Sequence, residues 1–267
     1  ITPHDARARW AVRTCGMRLF KFVHTAILPL LCALLLTITA RADVAAIAAP
    51  DRPAATVAEQ VLRSGGNAVD AAVAVGFALA VTFPEAGNLG GGGFATLHIE
   101  GESNFLDFRE TAPAAATRDM YLDADGKVIP QLSLIGHRAS GVPGTVAGLW
   151  ELHRRYGSRP WPELLAPAIR LAKDGFIPDA KLIRLVREAE EDYAGKTNFQ
   201  RYFGELKENA LFKQPQLAAT LERIAKHGSD GFYRGDTAKL VETEMQRGQG
   251  LITATDLAAY RPVWRKP

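Results

Sequence analysis

The stretch Gly87-Asn-Leu-Gly-Gly-Gly-Gly-Phe94 contains four successive glycines. Glycine runs are costly to order in a helix or strand, so they indicate main chain that turns at positive φ or that other segments approach closely. The spacing excludes two phosphate-binding motifs. A dinucleotide fingerprint beginning at Gly90 requires glycine where Ala95 stands, and a phosphate loop beginning at Gly87 requires lysine where Gly93 stands.

The sequence around the glycine run predicts two helices before it and two strands after it. Helices are expected over 53–63 and over 68–81, the second with Asn67 as its N-cap. Strands are expected over 94–99 and 104–108, with a glycine-containing connection between them. Arg109 directly follows the second strand, so Arg109 and the glycine run should lie near each other.

The second half of the chain is predicted to be a helical scaffold. Apolar residues recur there at three- and four-residue spacing, which is typical of amphipathic helices. The expected helices are 145–156, 161–173, 179–193, 216–227, 236–246 and a last turn from Asp256 capped by Thr255.

Six stretches of the chain carry a resemblance to a known family. In chain order they are Ser64–Ala74, Gly87–Phe94, Asp107–Pro113, Ser140–Gly148, Asp174–Phe176 and Gly250–Tyr260. Together they resemble the N-terminal part of the γ-glutamyltransferase (glutathione hydrolase) family, and the resemblance extends from about Ile47 to the last residue. It implies an α/β (α+β) fold, the four-layer αββα sandwich of N-terminal nucleophile hydrolases, with only the large-subunit portion present.

The resemblance also implies a reaction. The family's precursor cleaves itself before an internal threonine, whose hydroxyl then attacks the γ-glutamyl amide of glutathione or another γ-glutamyl compound. Water or an amine accepts the acyl group from the resulting γ-glutamyl-threonine. This nucleophile is expected beyond Pro267, on a small subunit from the same precursor, so residues 43–267 alone are expected to be inactive. No catalytic residue is assigned within the chain.

Two other interpretations remain open. One is a non-catalytic exported protein, either a remnant or a subunit that depends on a partner chain. The other is a related acylase of the same fold, such as a cephalosporin acylase or a poly-γ-glutamate processing enzyme, because pocket shape rather than scaffold determines the substrate.

Arg109 is the single substrate-binding residue that the resemblance implies, as the group that binds the α-carboxylate of the γ-glutamyl moiety. A guanidinium suits this role because its planar, permanently charged fork matches a carboxylate. Residue chemistry alone favours a structural ion pair with Asp107 or Glu110 instead. These two carboxylates are expected to orient Arg109 and cap local backbone rather than to act as acid and base.

Gly90–Gly93 and Ser140 are expected to have structural roles. The glycines could supply oxyanion donors, but packing and shaping of the pocket wall is favoured. Ser140 lacks the Gly-x-Ser-x-Gly pattern of a nucleophile elbow, so the run Ser140–Thr145 is expected to form a turn and cap the following helix.

No metal site or cofactor is expected. The histidines of the predicted mature chain are His98, His137, His153 and His227, and no two of them have the spacing of metal ligands. Cys15 and Cys32 both lie in the N-terminal region that is expected to be removed, which leaves no thiol for a disulfide, thiolate ligand or nucleophile.

The N-terminal region predicts export to the periplasm or secretion. Residues 1–16 are interpreted as an upstream or misannotated segment, and 17–42 as a signal peptide with basic residues, an apolar run and the cleavage triplet Ala40-Arg41-Ala42. An uncleaved anchor is the alternative. Residues 43–267 contain 26 basic and 28 acidic side chains, a net charge of −2 that gives no indication of nucleic-acid binding.

Overall fold

The computed structural model describes residues 45–267, and residues 47–267 form one compact unit. The predicted upstream segment, signal peptide and both cysteines lie outside the described residues. Within residues 45–267, no helix is long and apolar enough to span a membrane.

Helices dominate the described part of the chain, and a three-stranded sheet accompanies them. A 3₁₀ turn at His137–Ala139 interrupts a long irregular segment between the sheet and the third helix. In chain order the elements are α1 Arg52–Arg63, α2 Ala68–Thr82, β1 Phe94–Ile99, β2 Glu102–Asp107, α3 Thr145–Tyr156, α4 Trp161–Asp174, α5 Ala180–Tyr193, α6 Phe199–Phe203, α7 Pro215–His227, α8 Asp230–Tyr233, α9 Gly235–Arg247, α10 Ala254–Ala259 and β3 Val263–Arg265.

The sheet is antiparallel in the order β1-β2-β3. Phe94 pairs with Asp107 in the first ladder, and Asp107 pairs with Val263 in the second. Side chains of a strand alternate between its two faces. Ala95, Leu97, Ile99 and Trp264 pack against the helical core, whereas Phe94 and Val263 point away from it and are 54% and 45% exposed. One sheet face is therefore covered and the other is open.

Helix α2 lies at the centre of the helical layer. It contacts α1, α3 and α4, and apolar residues surround its axis, which explains its burial on nearly every side. Its small residues allow close approach, since a Cβ at Gly76 would lie 2.9 Å from Leu149 Cδ1. Phe77 is fully buried and meets Trp161 edge to face, with ring centroids 5.4 Å apart.

Asp70 joins the start of α2 to the loop before α4. It forms a capping box with Asn67, whose main-chain N–H donates to the Asp70 carboxylate at 2.9 Å. The same fully buried carboxylate accepts from the hydroxyl and N–H of Ser158 and from the N–H of Arg159. Burial by itself would raise the pKa of Asp70, but these hydrogen bonds hold it below its ordinary value.

Replacing Asp70 by asparagine should lower the free energy of unfolding at pH 7 by about 2 kcal/mol, because an amide NH₂ would face donors that now reach a carboxylate. A depressed folded-state pKa stabilises the protein above the ordinary aspartate pKa of 3.8, and this stability is lost as pH falls through the folded value. Thermal unfolding of both proteins at pH 7 and pH 3 checks this. The difference in stability between the wild type and the Asp70→Asn variant should be smaller at pH 3 than at pH 7. An equal difference at both pH values would contradict the prediction.

Several predicted boundaries agree with the structure, and one predicted cap is wrong. The second strand spans 102–107 rather than 104–108, and the short helices α6 and α8 were not predicted. Thr253, not Thr255, caps α10, because its side chain accepts from the Asp256 N–H in a capping box. The run Ser140–Thr145 supplies Gly144 at the N-cap position of α3, and no side chain caps this helix.

Candidate functional site

The glycine run lies directly against the end of β2. Gly93 and Phe108 exchange main-chain hydrogen bonds at 3.3 and 3.0 Å, which extends the ladder beyond the strands. A Cβ at Gly92 would lie 2.6 Å from the Phe108 carbonyl oxygen and 2.8 Å from Arg109 Cα. Close approach of main chain therefore requires glycine here, and the predicted proximity of the run to Arg109 is confirmed.

The other side of the run docks on the start of α3. The N–H groups of Gly144 and Thr145 donate to the Gly91 carbonyl at 2.7 and 3.1 Å. Asn88 Oδ1 accepts from the Gly91 N–H at 2.8 Å and from the Thr145 hydroxyl at 2.6 Å. The N–H groups of Gly91 and Gly93 are thus already engaged, which supports the packing role that is expected for the run over an oxyanion hole.

The main chain of Arg109 is held on both sides, and its side chain is exposed. Its N–H donates to Asp107 Oδ1 at 3.1 Å, and its carbonyl accepts from the Tyr260 hydroxyl at 2.8 Å. Within residues 45–267 the Arg109 guanidinium has no hydrogen-bond or ion-pair partner, so the predicted alternative of a structural ion pair is wrong. Its charge is available to a ligand.

Asp107 accepts a hydrogen bond from the Arg109 main-chain N–H, as predicted. It forms an ion pair with Arg265 of β3 and not with the Arg109 guanidinium. The Arg265 Nε lies 2.8 Å from Asp107 Oδ2. The hydrogen bond from the Arg109 N–H, followed by that from Arg265, holds the pKa of Asp107 below its ordinary value. The carboxylate is therefore ionised at neutral pH and unsuited to act as a general acid.

Arg109 lines an open cavity of about 520 Å³. Its charged lining residues are Arg109, Glu110 and Arg138. A second cleft, of about 640 Å³, lies between α1, α4 and α5 and contains none of the predicted site residues. The first cavity is formed by Gly90, Arg109, Glu110, Thr111, Ala112, Pro113, Ala116, Met120, Tyr121, Arg138, Ala139, Ser140 and Gly141.

Tyr260, which sequence reasoning did not single out, fixes the position of Arg109. Burial, followed by the negative charges of Asp107 and Glu110, raises the pKa of Tyr260 to about 12, so its hydroxyl stays protonated and donates. The Tyr260 ring stacks on Tyr233 with centroids 5.9 Å apart. Tyr260 is the last residue of the sixth matching stretch, and its place in that stretch is the feature of the sequence that could have identified it.

On the expectation that Arg109 binds a γ-glutamyl donor, replacing Tyr260 by phenylalanine in the full-length protein should raise the KM for that donor about fivefold, because Arg109 loses the hydrogen bond that holds its carbonyl. Steady-state kinetics measure this. Tyr233→Phe is the matched control, since the Tyr233 hydroxyl donates to the Pro143 carbonyl and accepts from the Ala147 N–H without touching Arg109. Equal rises in KM for both variants would contradict a positioning role for Tyr260.

Three of the four histidines, His98, His137 and His153, have separate hydrogen-bond partners. His137 bonds Glu244 at 2.9 Å, and the bonds to Glu244 from Arg247 and then His137 lower the pKa of that glutamate to about 2. His98 bonds the Ser103 hydroxyl, and His153 donates to the Arg159 carbonyl. Within residues 45–267, no three His, Cys, Asp or Glu side chains are grouped as metal ligands.

Comparison with known proteins gives the family. The γ-glutamyltranspeptidase family model matches residues 54–267. The chain belongs to the γ-glutamyltranspeptidase family. It is 56% identical over 225 residues to a glutathione hydrolase proenzyme of Pseudomonas aeruginosa, an alignment that covers 84% of this chain and 40% of the relative. The corresponding Escherichia coli proenzyme is 48% identical over 233 residues, covering 85% and 40%.

A solved γ-glutamyltranspeptidase from Pseudomonas nitroreducens, complexed with L-DON, is similar with a TM-score of 0.83 and 55% identity, covering 84% of this chain and 67% of the solved chain. The predicted N-terminal nucleophile hydrolase fold of the α/β (α+β) class is thereby confirmed for this γ-glutamyltranspeptidase-family chain. The chain spans about 40% of the length of the curated relatives and matches the large-subunit portion.

Four of the six stretches that indicated the γ-glutamyltranspeptidase family meet around Arg109. The glycine run and the segment after β2 that carries Arg109 form two sides, and the start of α3 and Tyr260 close the others. The other two stretches are structural. Ser64–Ala74 holds the Asp70 cluster, and Asp174–Phe176 pairs with Phe212 through main-chain hydrogen bonds.

Proposed function

We propose that the chain is the large-subunit portion of a γ-glutamyltransferase or glutathione hydrolase. The full-length enzyme would cleave the γ-glutamyl amide of glutathione or another γ-glutamyl compound and pass the acyl group to water or to an amine. One observation carries the proposal: the guanidinium of Arg109 has no partner among residues 45–267, and its anchored main chain holds it at a cavity that a small ligand can enter.

Arg109 would bind the α-carboxylate of the γ-glutamyl group. The two parallel N–H donors of a guanidinium edge match the two oxygens of a carboxylate, and such charge-assisted pairs are short and directional. The anchored main chain limits movement of the side chain's base, so the γ-carbon of a bound donor would be held at a defined distance from the arginine. This orientation is the contribution that we assign to the large subunit.

The attacking group is proposed to be a threonine in a downstream part of the full-length protein, exposed by self-cleavage. The names of the relatives, which are proenzymes, support a precursor that is processed. In the proposed reaction, the threonine hydroxyl forms an ester with the γ-carbonyl and the amine leaves with a proton. Water or an acceptor amine then breaks this ester and restores the hydroxyl.

The small subunit is proposed to cover the open face of the sheet. Phe94 stacks on Phe105 on this face with ring centroids 5.6 Å apart, and Val263 lies exposed on the same side. Exposed apolar groups of this size on a regular sheet are typical of surfaces that another layer covers. A second sheet in that position would complete the αββα sandwich.

The experiment is to express the full-length precursor and assay release of p-nitroaniline from γ-glutamyl-p-nitroanilide. The wild-type protein should split into two chains and release p-nitroaniline, whereas residues 43–267 alone should release none. Cleaved full-length protein that binds but does not turn over γ-glutamyl donors would contradict the proposal. Turnover by residues 43–267 alone would contradict the downstream position of the nucleophile.

Export is a further part of the proposal. Residues 17–42 would direct the precursor across the membrane and be removed before Asp43. N-terminal sequencing of the protein from a periplasmic or culture fraction checks this. A mature chain that begins at Asp43 is expected, and an uncleaved protein recovered with the membrane would indicate the anchor instead.

A further inference from the structure

A second arginine lines the same cavity as Arg109. Arg138 belongs to the segment that forms one wall, and Arg109 begins the segment that forms another. Two main-chain hydrogen bonds, at 3.2 and 2.8 Å, pair Thr111 with Val142 in an antiparallel bridge between these segments. Arg109 precedes Thr111 by two residues, and Arg138 precedes Val142 by four. Because the two segments run in opposite directions, the two arginines lie on opposite sides of the bridge.

Arg138 is anchored but not neutralised. The Tyr121 hydroxyl donates to its carbonyl at 3.1 Å, and its own Nε donates to the Gln249 carbonyl at 3.3 Å. The neighbouring His137 is tied to Glu244 on α9, which fixes the preceding main chain. Among residues 45–267, no carboxylate lies within ion-pair distance of the Arg138 guanidinium. Its two terminal nitrogens therefore remain available as donors.

The cavity lining carries a net positive charge. Its charged residues are Arg109, Glu110 and Arg138, two arginines and one glutamate. Glu110 lies between the two walls, because it is adjacent to Arg109 and its Cβ would be 2.9 Å from a Cβ added at Gly141. A single small carboxylate held by Arg109 would leave the charge of Arg138 unused. A ligand with two separated carboxylates would satisfy both arginines.

We propose that Arg138 is a specificity-determining residue that binds a second carboxylate, carried by the leaving group of the γ-glutamyl donor. The inference rests on the proposed function, because it assumes that Arg109 binds the donor's α-carboxylate. With this role for Arg138, the preferred donors would be γ-glutamyl peptides that end in a free carboxylate. Donors with an uncharged leaving group lack the group that Arg138 binds.

Glutathione and its C-terminal amide test this pairing, since they differ only in the charge of the distal group. In the full-length protein, kcat/KM for glutathione should exceed that for glutathione amide about tenfold, the value of one charge-assisted hydrogen-bonded contact. Arg138→Gln should lower kcat/KM for glutathione about tenfold, mostly through KM, and leave the amide within twofold. Arg138→Lys, which keeps the charge, should recover part of the preference.

Several results would overturn the inference. The first is an active wild-type enzyme that does not distinguish the two donors. The second is an Arg138→Gln variant that loses activity equally toward both while keeping the wild-type unfolding temperature. If that variant proves unstable, the Arg138→Lys variant provides the test. A purely structural role for Arg138 predicts that the Lys variant has the same kcat/KM for both donors. A cleaved wild-type protein with no activity on either donor, or on γ-glutamyl-p-nitroanilide, would instead refute the proposed function on which the inference rests.

Discussion

Arg109→Ala in the full-length protein should raise the KM for γ-glutamyl-p-nitroanilide about a hundredfold. A hydrogen bond to a charged group contributes about 1.5–3 kcal/mol, and each 1.4 kcal/mol is a factor of ten in affinity. The anilide carries no second carboxylate, so the measurement isolates the contact with the α-carboxylate. The effect should fall mainly on KM, because the proposed contact of the arginine is with a part of the donor that does not react.

Two further variants make this result specific to Arg109. Arg109→Lys keeps the charge but loses the planar fork, so its KM should lie between those of the wild type and the alanine variant. Arg118→Ala is the matched control, since Arg118 is exposed, pairs loosely with Asp119 and does not line the cavity. A KM for Arg109→Ala within threefold of the wild-type value would refute the assignment.

Gly92→Ala should lower the free energy of unfolding by about 3 kcal/mol, near the upper end of the usual cost of overpacking. The added methyl would lie 2.6–2.8 Å from the Phe108 carbonyl oxygen, the Glu110 nitrogen and Arg109 Cα. These are main-chain atoms and cannot rotate away. Urea unfolding of the purified protein measures the change, and the displaced Arg109 should also raise the donor KM.

Gly90→Ala is the control from the same glycine run. A Cβ at Gly90 would meet no atom within 4 Å, so its free energy of unfolding should stay within about 0.5 kcal/mol of the wild type. Equal losses for the two variants would indicate that the run requires glycine for backbone freedom. A loss in Gly92→Ala alone would show that the requirement is close packing against the end of β2.

The sequence was sufficient to predict the adjacency of Arg109 and the glycine run. Both flank strands that are joined by a short connection, and such strands pair as a hairpin. The helices were predictable because their apolar spacing is regular and their caps are local. Thr253 was missed because Thr255 lies two residues away in the same short segment, and both side chains can act as caps.

The contacts that hold Arg109 could not be predicted, because they join distant parts of the chain. Tyr260 lies 151 residues from Arg109, and Arg265 lies 158 residues from Asp107. Asp70 meets Ser158 across 88 residues. No periodicity or spacing rule connects such positions, since each pairing depends on how whole elements pack. The ion pair that residue chemistry alone favoured for Arg109 is absent from the described residues, where Asp107 pairs with Arg265 instead.

The place of Tyr260 and β3 in the chain has a consequence for the order of synthesis. Arg109 leaves the ribosome long before the hydroxyl that holds its carbonyl and before the strand that pairs with β2. Until residues 260–265 emerge, the hairpin of β1 and β2 has no third strand, and two-stranded hairpins are marginal in water. The nascent chain should therefore acquire its carboxylate-binding geometry late, after nearly all of its helices are complete.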